Sequence, residues 1–208
     1  MAAALYSGLC NANAGEPAEP TRYHVNIQLS TGVGVGATAL LLQASQATAT
    51  AIFKRVGVQL TWRYGRRRPA AKTMKACAGE AATRDIVIEI VAEAPIHNGG
   101  SALAETSLNR DSSARTVIFY DRVESRLKRQ RAPQATILGY VLAHEIGHAL
   151  QGVVRHSASG VMRATWTTDD FEQMGKDGLR FTEEDVLLIR LGLAPPNAPA
   201  DCSEVPSD

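Results

Sequence analysis

The residues with the clearest chemistry lie in Tyr140-Val-Leu-Ala-His144-Glu145-Ile-Gly-His148-Ala-Leu-Gln-Gly152-Val-Val-Arg-His156-Ser157, where two histidines four apart flank a glutamate. On an α-helix, residues four apart share one face, so the His144 and His148 imidazoles can grip a single metal ion. Glu145 projects from the adjacent part of the helix and is placed to act as general base on a metal-bound water. Gly152 can adopt the left-handed conformation that stops a helix and reverses the chain. His156, four residues beyond, then swings back as a third ligand. Three imidazoles and an open fourth position suit one catalytic zinc ion. The expected chemistry is zinc-dependent hydrolysis, with Glu145 taking the proton from the attacking water and handing it to the leaving group. Isolated histidines on a helix face usually do nothing of the kind. Here the pair sits in an apolar run (Ile137, Leu138, Val141, Leu142, Ala143, Ile146, Ala149, Leu150) that reads as a core helix, and a glycine break and a third histidine follow.

The segment resembles the metzincin zinc metallopeptidases, whose pattern is His-Glu-x-x-His-x-x-Gly-x-x-His followed by a methionine-containing turn. Met162, in Ser157-Ala-Ser-Gly160-Val-Met162, is similar to the methionine of that turn. The resemblance implies that it packs beneath the metal without binding it, its thioether being a weak ligand. The register departs from the pattern: glycine stands at 152 rather than 151, and histidine at 156 rather than 154. A longer turn before His156 absorbs the difference, and His156-Ser157 ahead of a Val-Met pair resembles the matrixins. The implied assignment is a divergent, matrixin-like metzincin. Gly100-Ser-Ala-Leu103-Ala104-Glu105 is similar to the matrixin stretch that forms the upper edge strand of the cleft, which gives Leu103 and Ala104 a substrate-binding role through β-augmentation; an ordinary surface loop accounts for it equally well. Residues 161–166 would line the pocket below the metal. The resemblance also admits a structural calcium ion, although no acidic loop identifies one.

Two other readings stay open. In a gluzincin-like peptidase the third ligand is acidic, and Glu172, Glu183, Glu184, Asp169 and Asp170 are available after His148. In a binding module the metal would serve stability alone, but a structural site fills all four positions and needs no base. His24 and His97 fall outside any ligand spacing and read as surface or structural histidines.

The elements that must position this site are legible from periodicity. Tyr23 to Leu29 alternates apolar and polar residues as a half-buried strand. Ala37 to Arg55 carries helix formers with apolar recurrences and stops near Gly57. Further strands are expected at Val58–Tyr64, Arg84–Val91 and Thr116–Tyr120, then the metal helix from about Pro133 to Gly152. A last helix spans Thr182–Leu191, with Thr182 as cap and acids in its first turn. The glycine-rich Gly32-Val-Gly34-Val-Gly36 lacks both the final glycine of a dinucleotide fingerprint and a Gly-Lys-Ser/Thr, so it reads as a turn. The expected class is α+β, a metzincin-like domain over residues 21–194 with a twisted mixed sheet, an active-site helix and a C-terminal helix. Residues 195–208 read as a proline-rich tail.

A chain of 208 residues provides one domain with a substantial core. Its 22 basic and 21 acidic side chains give a net charge of +1 and no reason to expect nucleic acid as a partner. The basic stretches at 66–68 and 126–131 read as solvated faces, and no segment reaches membrane-spanning length. A monomer acting on peptide or protein substrates is expected. Residues 1–20 resemble a signal-peptide remnant or a disordered segment: a short apolar stretch precedes Ala12-Asn13-Ala14, without a basic leader. Cleavage there leaves Cys77 and Cys202, which suits one disulfide in a secreted or periplasmic protein, two unpaired thiols being the alternative.

Overall fold

The computed structural model describes residues 23–65, 83–95, 102–108, 114–128 and 132–194. In chain order the elements are β1 (Tyr23–Thr31), α1 (Ala39–Lys54), β2 (Val58–Tyr64), β3 (Thr83–Val91), β4 (Ala104–Leu108), β5 (Ala114–Phe119), α2 (Tyr120–Leu127), α3 (Gln134–Gln151), α4 (Thr168–Met174) and α5 (Glu183–Leu193). The five strands form one mixed sheet in the order β2-β1-β3-β5-β4. β1 pairs in parallel with β2 and β3, and β3 with β5, whereas β4 closes the far side antiparallel to β5.

Alternation in the strands decides which face is covered. Val25, Ile27 and Leu29 of β1 stand beside Ile86, Ile88 and Ile90 of β3, and all six are inaccessible to solvent. Asn26, Gln28 and Asp85 point the other way, with Asn26 Nδ2 donating to Asp85 Oδ1 across the ladder at 3.0 Å. The apolar face is packed by α1 and α3. α1 begins at a Thr38 cap whose hydroxyl accepts from Leu41 N–H, and it buries Leu42, Ala49, Ile52 and Phe53. α3 is buried along residues 137–151 because sheet, α1 and α5 surround it, and an apolar helix of this kind needs neighbours on every side.

Three elements depart from the periodicity reading, and the first of them, β4, overlaps the stretch whose resemblance implies an edge strand. β4 is short and mostly exposed, α4 is a single capped stretch, and the strand expected to run through Tyr120 instead turns into α2 at that residue. Val123 is the fully buried side chain of α2, and the Asp121 N–H donates to the Ala92 carbonyl at 3.1 Å. Among the described residues no helix is long and apolar enough to cross a membrane. The readings placed on residues 1–20 and 195–208, on the basic run 66–68, and on Cys77, His97 and Cys202 lie outside the described residues.

Candidate metal centre

α3 comes close to its neighbours where it has no side chain. A Cβ on Gly139 would lie 2.5 Å from the Thr48 Cβ of α1, and one on Gly147 would lie 2.5 Å from the Met162 sulfur. Gly147 sits between the two motif histidines, so its missing side chain is the space that Met162 fills beneath the helix. Met162 is fully buried there. At the end of α3, Gly152 is left-handed (φ 68°) and its N–H returns to the His148 carbonyl at 3.1 Å, the stop and reversal that its sequence position requires.

That reversal brings His156 back over the helix. The ligating atoms of His144, His148 and His156 all lie within 4.8 Å of one another. His144 Nε2 and His148 Nε2 face each other at 3.1 Å, close to the separation of about 3.3 Å that two nitrogens 2.0–2.1 Å from a tetrahedral ion would have. The His144 tautomer is fixed from behind, since Nδ1 stands 2.8 Å from the Val161 carbonyl and can only be the donor to it. Its Nε2 therefore carries a lone pair pointing at His148. Burial lowers the His144 pKa to about 4, with the Val161 bond opposing and the neighbouring imidazoles adding to the shift, and burial lowers that of His148 as well. Neutral imidazoles are the form that binds a metal. The His144 Nε2 lone pair and the His148 Nε2 that faces it, with a third imidazole beside them on an exposed residue, form a donor set that fits a zinc ion with one position left open.

Glu145 is 8 % exposed, and burial pushes its carboxyl up to about 7, against a hydrogen bond that lowers it. That bond comes from the Thr106 hydroxyl of β4 to Glu145 Oε2 at 2.6 Å. Thr106 Oγ1 is in turn 2.7 Å from Thr116 Oγ1 of β5, its partner in the antiparallel ladder.

The segment that carries His156 and Met162 is held by two helix caps. Thr182 and Asp185 form a capping box at the start of α5, and Thr167 and Asp170 do the same for α4. Each aspartate has capacity to spare. Asp185 Oδ1 accepts from Ser157 Oγ at 2.6 Å and Arg155 Nη1 at 3.1 Å while Oδ2 serves the cap; Asp170 Oδ2 accepts from Arg163 Nη1 at 2.8 Å. Arg155 also pairs with Glu184. The Val161 N–H is fixed by the Arg180 carbonyl at 3.0 Å, so the carbonyl that orients His144 belongs to a segment tied down on both sides of His156.

No family model matches the sequence, and no curated protein matches it. Among solved structures the chain is similar to an archaemetzincin from Methanopyrus kandleri (12% identity, 83% of this chain and 96% of that one, TM-score 0.48). It is also similar to metalloproteinase-II from Bacteroides fragilis (11% identity, 86% of this chain and 56% of that one, TM-score 0.50). The fold, a five-stranded mixed sheet packed by helices, is similar to that of the Bacteroides metalloproteinase. At such identities the likeness concerns fold alone, and this chain spans little more than half of the Bacteroides protein.

The structure thus brings His144, His148 and His156 together, with Met162 packed against Gly147 between the first two and the Glu145 carboxylate bonded to Thr106 of β4. None of the acidic residues considered as a third ligand joins the imidazole cluster. Glu172 pairs with Lys176 at 3.8 Å, Glu184 with Arg155, and Asp170 caps α4. Leu103 and Ala104 lie where β4 begins, at the outer strand of the sheet, and the Leu103 carbonyl accepts from Phe119 N–H at 2.9 Å. His24 is an exposed residue of β1. Trp166 packs edge-on against His144, ring centroids 5.6 Å apart. Thr106, Gly147 and Asp185 also shape the site, and the metal motif assigns a role to none of them. The Thr-x-x-Asp spacing of Thr182 and Asp185 was a readable signal for a cap, but nothing local marked Thr106.

Proposed function

We propose that this chain is a zinc-dependent endopeptidase, a divergent matrixin-like metzincin in which His144, His148 and His156 hold one zinc ion. The observation that carries the reading is the convergence of three imidazoles, their ligating atoms within 4.8 Å of one another, over the helix that also carries the buried carboxyl of Glu145. Bound zinc would acidify a water and polarise the scissile carbonyl. Glu145 takes the proton of the attacking water and delivers it to the leaving amine nitrogen as the carbon–nitrogen bond breaks. A buried carboxylate on the metal helix is the kind of group that can carry out both halves of that transfer. β4, which among the described residues pairs with a strand on one side only, offers an extended peptide a strand to pair with, near Leu103 and Ala104. A site serving stability alone would have no use for such a base. We further read the protein as exported and monomeric, with a Cys77–Cys202 disulfide, a reading that rests on the N-terminal and cysteine pattern and is checked by mass spectrometry of non-reduced digests.

The test is elemental analysis combined with digestion of a broad peptide library. About one zinc per chain and chelator-sensitive cleavage are expected. Metal-free protein that cannot be reconstituted, or zinc-loaded protein that cleaves nothing, would overturn the assignment.

A further inference from the structure

The hydroxyl that meets Glu145 comes from neither the metal helix nor the segment after it. It comes from β4, 39 residues upstream. Thr106 faces α3 from the outer strand, and its cross-strand partner Thr116 is completely buried. A threonine hydroxyl has one proton to give. Given to Glu145 Oε2, it leaves the 2.7 Å contact between the two threonines to be made by Thr116 as donor. The order Thr116 to Thr106 to Glu145 is then fixed by the ionised carboxylate at its end.

We propose that Thr106 is a positioning residue for Glu145: the pair of threonine hydroxyls on β4 and β5 holds one carboxylate oxygen and so sets the direction in which the other is presented to substrate. This rests on the peptidase reading of the site and deepens it. The strand expected to receive the peptide is also the strand that aims the base, so cleft and base share one rigid ladder. The carboxylate is nearly enclosed and Oε2 has a 2.6 Å bond to this hydroxyl, so losing the bond frees a charged group in a place where water reaches it poorly.

Thr106→Val and Thr106→Ser test the assignment, valine keeping the shape without the hydroxyl and serine keeping the hydroxyl. In zinc-loaded full-length protein, Thr106→Val is expected to lower kcat on the order of tenfold or more with KM and zinc content unchanged. Thr106→Ser should recover most of the loss. On a Glu145→Gln background Thr106→Val should cost little further, because the group it positions no longer acts as a base. Unchanged kcat in Thr106→Val, or an equal fall on both backgrounds, would overturn the proposal. Crystal structures of the wild type, the valine variant and the serine variant provide a second readout independent of turnover. The Glu145 carboxylate should rotate or spread over several rotamers in the valine variant only, and a carboxylate unmoved there would refute the assignment even if the protein cleaves no peptide. Absence of cleavage by the wild type would count against the peptidase reading, and the crystal structures would still decide the role of Thr106.

Discussion

Glu145 is held by burial and by one hydroxyl, and these pull its carboxyl in opposite directions. Its isostere can still accept from Thr106 but cannot take a proton. Glu145→Gln is therefore expected to fold, to keep its zinc and to lose cleavage by about 100-fold or more, measured as kcat with elemental analysis alongside. Undiminished turnover would mean that another group is the base. Gly147 is a different kind of residue, needed for what it lacks. A methyl group there meets the Met162 sulfur at 2.5 Å, and that side chain is fully buried, so it must shift within the core. Gly147→Ala should cost about 1–3 kcal/mol by overpacking, seen as a lower midpoint in denaturant, and should weaken zinc binding by displacing the turn beneath the ligands. The histidines and Glu145 could be read from the sequence because helix spacing alone relates them. Thr106 could not, because strand pairing brings it to the site.

The caps of α4 and α5 show how helix ends serve as anchors. Burial pushes the Asp185 carboxyl up, but hydrogen bonds from Ser157, Thr182 and Arg155 outweigh it and hold it below the usual carboxylate value. Asp170 is lowered in the same way by Thr167 and Arg163. The charged groups around Asp185 are Arg155, with Glu184 beyond it, and the titratable His144 and His148 imidazoles are also near. A carboxyl whose folded value lies below its unfolded one adds stability at pH values above about 4. That stability is lost as pH falls through the depressed folded value, when the protonated acid can no longer accept all its bonds. Asp185→Asn is accordingly expected to be less stable than the wild type at pH 7, with the difference shrinking below about pH 4, in urea titrations across that range. A constant difference at all pH values would show that the charge is not what anchors the segment. Elements of this sort were only partly legible. β1, β2 and β3 alternate because one sheet face is covered, and that pattern survives in the sequence. In β4, Ala104-Glu-Thr-Ser-Leu108, an outer strand with most residues exposed has no apolar face to repeat, and α4 has too few turns to show a period.

At the scale of the whole molecule, a zinc ion would join α3 to the segment that returns from Gly152, two parts of the chain otherwise linked by the packing of Met162 and by the caps. An ion that binds the folded chain and not the unfolded one stabilises it by mass action, by about 2.7 kcal/mol at a free concentration 100 times its dissociation constant. For a domain of this size that amounts to a rise in melting temperature of about 5–10 °C. Chelation should lower the melting temperature reversibly, and added zinc should restore it. The third ligand decides how much of this survives substitution. His156 is the exposed member of the cluster and belongs to the segment that must close over the ion, so His156→Ala should abolish most of the zinc-dependent rise and weaken zinc affinity strongly. Glu172→Ala, Glu183→Ala and Glu184→Ala should leave affinity nearly unchanged, since none of these carboxylates stands in the cluster. Glu184→Ala serves as the strictest comparison because it breaks the pairing with Arg155, next to His156, without removing a ligand. A zinc-dependent shift that persists in His156→Ala and vanishes in one of the glutamate variants would transfer the third position to a carboxylate and leave His156 as a bystander on the surface.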